Sequence, residues 1–94
     1  MTPEDLRATL DLDDPPEGLS TPLKAMWRAA KGEWDAAHGL AQSDESTEAA
    51  WVHAHLHRVE GDLSNAGYWY RRAGKPEAES DLEVEWADIV TALG

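Results

Sequence analysis

Apolar side chains recur along this chain at intervals of three and four. Val52, Leu56 and Val59 form one such series, and Leu63, Ala66, Tyr70 and Ala73 form another. That spacing collects them on one side of an α-helix, where they are expected to face a core. No segment sustains the alternation of a half-buried strand, and β-branched residues are sparse. The expected fold class is therefore all-α, with about six helices.

The polar punctuation sets their limits. Thr2, Pro3 and Asp5 carry the signature of a helix start and predict a first helix over about 3–10. DLDDPPEGLS, with two prolines, a glycine and four acids, reads as linker. Ser20 or Thr21 caps a helix running from Pro22 to Gly32, and a third covers about 34–42. Ser46 or Thr47 opens a fourth that ends at Gly61; a fifth spans about 63–73 and stops at Gly74, with Pro76 beyond. Ser80-Asp81-Leu82-Glu83 reads as a capping box for a last helix ending near Leu93. Short connections predict antiparallel neighbours.

Residues 31–41 and 60–70 align at an offset of 29: Gly32 falls on Gly61, Glu33 on Asp62, Trp34 on Leu63 and Ala37 on Ala66. Each unit is thus expected to be a helix, a Gly-acid turn, and a second helix that buries one large apolar residue in its first turn. Gly61-Asp62-Leu63, Ala66, Tyr70, Ala73 and Pro76 together resemble the second half of a tetratricopeptide repeat. The resemblance covers about residues 19–80 and departs from the family in its shorter period and in Ala41, where a large aromatic is usual. HRVEGDLSNAGYWYRRAG is also similar to a segment of small, mostly bacterial proteins, a likeness that carries no function with it. Leu82 and Trp86 stand where a third unit would place inward residues, so the last helix is expected to cap the stack. The organisation expected is one helical domain, 1–94, with an acidic N-terminal helix and linker (1–20), a repeat core (21–76) and an acidic capping helix (77–94).

Charge sharpens that division. The formal net charge is −11. Residues 1–20 hold six acids against Arg7, residues 77–94 hold six acids and no base, and the middle balances seven against seven. Such a chain is not expected to bind nucleic acid or an anionic membrane surface. It has no Cys, which leaves His and carboxylates as metal ligands. Pro3, Glu4 and Asp5 are unlike a basic leader, and a cytoplasmic protein is the expectation. Trp27, Trp34, Trp51, Trp69 and Trp86 are expected to dominate a small core, each with an N–H to satisfy.

Candidate chemistry centres on WVHAHLHRVEGD, residues 51–62. On a helix His53 and His57 are neighbours one turn apart, Glu60 continues their stripe, and His55 points the other way. His53, His57 and Glu60 are candidate ligands for a divalent metal such as zinc, with His38 a fourth. The plainer reading, and the preferred one, is packing: the repeat alignment puts both histidines against a partner helix, bonded to Glu60, Asn65 or a backbone carbonyl. No nucleophile elbow or phosphate loop appears, so catalysis is not expected. The tetratricopeptide resemblance places Trp51, His55 and Arg58 on a concave, partner-facing side, a combination suited to gripping a peptide. Trp69 and Arg72, in the basic run Arg71, Arg72, Lys75, form a second candidate patch. The resulting expectation is a non-catalytic protein-interaction module without a cofactor, with a protein or peptide partner and homodimerisation as a further option. The alternative is a small metal- or ligand-binding protein built on His53, His57 and Glu60, an enzyme being one form of it.

Overall fold

The computed structural model describes residues 1–94, and it is all-helical: α1 (Pro3–Arg7), α2 (Thr21–Ala30), α3 (Trp34–Gln42), α4 (Thr47–Val59), α5 (Leu63–Ala73) and α6 (Leu82–Leu93). Local chemistry explains most boundaries. Thr2 and Asp5 form a reciprocal capping box, and the hydroxyls of Ser20 and Ser46 accept from Leu23 N and Ala49 N. Each bond satisfies an amide that a helix start leaves without an internal partner. α1 is shorter than its sequence suggests, because the chain leaves it in turns from Ala8. The capping box expected at Ser80 is absent: Asp81 is the N-cap and makes no side-chain cap bond, while the Ser80 carbonyl accepts from Arg58.

The 29-residue offset has a backbone counterpart. Gly32 and Gly61 take φ of 79° and 85°, and Glu33 and Asp62 follow at φ/ψ of −97°/69° and −91°/79°. In both turns the acid's amide reaches five residues back along the chain, Glu33 N to Arg28 O and Asp62 N to His57 O, at 3.0 and 2.9 Å. This is a Schellman closure that ends one helix and starts the next. α2/α3 and α4/α5 are accordingly two hairpins of the same design.

α4 is the axis of the molecule. It packs against α2, α3, α5 and α6, whereas α5 packs chiefly against α4 and reaches α6 through the Tyr70–Glu85 hydrogen bond. The principal core joins Leu6, Leu23, Met26, Trp27, Val52, Leu56, Trp86, Ile89 and Val90, with Ala37 and Ala41 letting α3 approach closely. A smaller cluster, Ala54, Ala66 and Tyr70, holds α5 to α4. Trp27 and Trp86 are buried, and their indole N–H groups donate to Thr9 Oγ1 and Met26 O. Three residues assigned inward by periodicity lie outward instead: Val59 is 44% exposed, Leu63 64% and Leu82 39%. Each stands at the end of its helix, where no neighbour continues over it. No helix is long and apolar enough to cross a membrane.

Identical substitutions should separate the two kinds of glycine. Gly61→Ala, at a left-handed φ, is expected to cost about 1–2 kcal/mol. Gly39→Ala, in the exposed face of α3 with open space around it, should gain about 1 kcal/mol. Urea unfolding followed by circular dichroism measures both.

Candidate functional site

The three histidines of α4 are all buried, at 3% (His53), 2% (His55) and 6% (His57) exposure. Their positions along the helix send them to two separate places.

His53 and His57 face the seam between the hairpins, and His38 of α3 meets them there. His53 Nε2 and His38 Nε2 are 2.9 Å apart and share a hydrogen bond, so one ring carries the proton and the other accepts it. His57 stacks on His53 with ring centres 4.9 Å apart, and its Nδ1 donates to Glu60 Oε1 at 2.7 Å. That bond leaves Nε2 as the second, uncommitted nitrogen of His57. One ring nitrogen from each of His38, His53 and His57 falls in a group whose members lie within 4.8 Å of one another. The grouping depends on the hairpin fold. Two of the rings are one turn apart on α4, and the third arrives because Trp34 fixes the start of α3 by donating to Leu56 O at 2.7 Å.

Indoles wall this cluster on both sides. Trp69 of α5 stacks on His53 at 3.8 Å with 11° between planes, and Trp34 stacks on His38 at 4.8 Å. Burial pushes the His53 imidazolium down to about 4, with His38, His57 and the Arg72 guanidinium adding unfavourable charge. Burial, then His57, lowers His38 in the same direction. Both rings are therefore held neutral at pH 7, the state in which imidazole binds a metal ion.

His55 goes to the opposite side of α4, beneath α6. Its Nδ1 donates to Glu85 Oε1 at 2.7 Å; Arg58 Nη1 donates to the same oxygen at 3.2 Å, and the Tyr70 hydroxyl donates to Oε2. Burial alone would raise the Glu85 carboxyl, but the His55, Tyr70 and Arg58 donors together hold it below the usual carboxylate range. Nothing in the pattern around Glu85 distinguished it from the other acids of the last helix. Only the contact across 30 residues gives it this role.

The expected recognition surface is consequently divided. Trp51, half-buried, lies under the Lys75 ammonium, 4.3 Å from its ring centre. His55 and Arg58 are taken up by Glu85, and α6 covers the side of α4 that a concave groove would have presented. Of the second patch, Trp69 is occupied on one face by His53 while Arg72 lies 5.1 Å from its ring centre and 5.8 Å from that of Tyr68, which is 45% exposed. Glu60 sits beside the histidine cluster as a partner of His57. Asp62, the other carboxylate near His57, already accepts the Asn65 amide as the cap of α5.

The depressed His53 value sets a pH dependence. An unfolded chain protonates this histidine near the ordinary 6.5, the folded one only near 4, so stability should fall as pH drops from about 6.5 to about 4 and this contribution should then level off. Urea midpoints taken across that interval should show the slope, and His53→Gln should flatten part of it. No family model, curated protein or solved structure matches this chain.

Proposed function

We propose that the protein binds a divalent transition metal of the zinc class through His38, His53 and His57. The observation that carries this reading is the convergence of three imidazole nitrogens from two helices within 4.8 Å. Two nitrogens on a tetrahedral zinc, each about 2.0–2.1 Å from it, stand about 3.4 Å apart. The His38–His53 pair, at 2.9 Å, needs only a small separation to admit an ion, with the shared proton passing to Nδ1 of the ring that carries it.

The surroundings favour the same reading. Glu60 holds Nδ1 of His57, the kind of carboxylate contact that orients a ligating imidazole and raises its basicity. Three imidazole nitrogen donors and no thiolate suit zinc, copper(II) or nickel rather than magnesium or calcium. His38, half-buried, is the most accessible of the three and marks the side from which an ion enters. An ion held there would tie the α2/α3 hairpin to the α4/α5 hairpin. The role of Glu60 in this reading is to position His57 rather than to ligate.

Zinc titration of tag-free protein at neutral pH tests the proposal. Binding at one ion per chain is expected, with unfolding free energy raised by about 2.7 kcal/mol at a hundredfold excess over Kd. His38→Gln and His53→Gln should each abolish the increment while keeping the helical circular dichroism signal. A stability that zinc leaves unchanged would reduce the cluster to packing.

A second reading, a tetratricopeptide-like docking module, has one specific feature in its favour. α5 packs chiefly on α4, and its outer side carries exposed Leu63, Tyr68 and Arg72. Such a terminal helix is where a stack would continue, with a protein partner or with a second copy of this chain. Sedimentation analysis should then show self-association that a Leu63→Ser/Arg72→Ser double variant loses.

A further inference from the structure

The side of α4 opposite the histidine cluster carries a second, separate arrangement. A cavity of about 380 Å³ lies between α1, α2, α4 and α6. Its walls are mostly apolar, with Leu10, Val59, Leu82 and Trp86 prominent among them. Val59 and Leu82 are two of the residues whose exposure contradicts their periodicity. Here they have a place, as apolar lips of a hollow that nothing in the chain fills.

One buried polar side chain lines the cavity, His55. Its Nδ1 is committed to Glu85, which makes Nε2 the ring nitrogen left without a protein partner. Every fully buried side-chain nitrogen or oxygen of the molecule has a hydrogen-bond partner, so Nε2, which has none, keeps some exposure, and His55 borders this cavity. The rim carries Arg7, whose guanidinium lies 4.7 Å from the Trp86 ring centre, and Glu83. One cation and one anion at the mouth give no net attraction for an ion. The Glu85 carboxylate directly behind His55 also disfavours a second carboxylate in front of it.

We propose that this cavity binds a small neutral molecule with an apolar, ring-sized body and one hydroxyl, a phenol or aromatic alcohol, whose O–H donates to His55 Nε2. The apolar walls take the body. The Glu85–His55 pair supplies an acceptor whose orientation is fixed before the ligand arrives, which spares the ordering cost that a mobile side chain would incur. Glu85 is a positioning residue here, holding the imidazole without touching the ligand.

The test is a titration of the full-length protein with 4-methylphenol and, in parallel, toluene, observed through the His55 ring nitrogens by NMR. Saturable 1:1 binding of 4-methylphenol is expected, about tenfold tighter than toluene because one hydrogen bond separates the two. The Nε2 resonance should move far more than Nδ1. Ala30→Leu, which adds bulk at the cavity wall on an exposed position of α2, should remove binding while leaving the helical signal intact. Equal affinity for toluene, an Nε2 resonance that stays still, binding unaffected by Ala30→Leu, or no saturation up to the solubility of 4-methylphenol would each overturn the proposal.

Discussion

Burying three imidazoles on one helix is the constraint around which the molecule is organised. A buried polar group without a partner costs about 1–3 kcal/mol, so α4 can be central only if each of its histidines is answered from elsewhere. His53 is answered by His38 of α3, His55 by Glu85 of α6, and His57 by Glu60 at the end of α4 itself. Two of the three answers come from other helices. The polar groups of α4 therefore specify which neighbours pack on which side, while Val52 and Leu56 supply the apolar contact that makes packing favourable.

The two sides differ in electrical character. Beneath α6, Glu85 is charged and receives three donors, so the site is a satisfied ion-centred network that joins α4, α5 and α6. Along the hairpin seam, His38 and His53 are held neutral and share a single proton. Protonation is resisted there chiefly because a charged ring would be buried away from water in a space lined by indole, and also because it would face the neighbouring imidazoles. A divalent ion differs from a proton in this setting, because it accepts lone pairs from several rings at once. In the metal-binding reading proposed above, the crowding that lowers the affinity for protons is also what would bring several lone pairs to one ion.

How the sequence reads depends on the range of each interaction. Caps, glycine turns and helix periods act over a few residues, and Thr2, Ser20, Ser46, Gly32 and Gly61 all act where their neighbours predict. The angular separation of His55 from His53 and His57 follows from helix geometry in the same way, and so does the reach of His38 toward the pair once α3 and α4 are neighbours. Val59, Leu63 and Leu82 mislead because periodicity names the face of a helix but not how far along it a neighbour extends. Trp51, His55 and Arg58 do share a region of α4. In the folded chain α6 lies over that side of α4, with His55 and Arg58 bonded to Glu85 and Trp51 beneath Lys75.

By itself, then, the sequence determined the helical class, the number of helices, their approximate limits and the repeated hairpin turn, since these are set by contacts within about a turn of the chain. Tertiary structure alone decided which histidine meets which partner. The choice of Glu85 among the acids of α6, the stacking of Trp69 on His53 and the hollow in front of His55 arise from elements distant in the chain that meet only when the core closes. Local preference fixes the direction in which a side chain leaves its helix. What it finds there is fixed by the packing of the other helices, because burial makes every unpaired polar atom costly and admits only the arrangement in which all are satisfied.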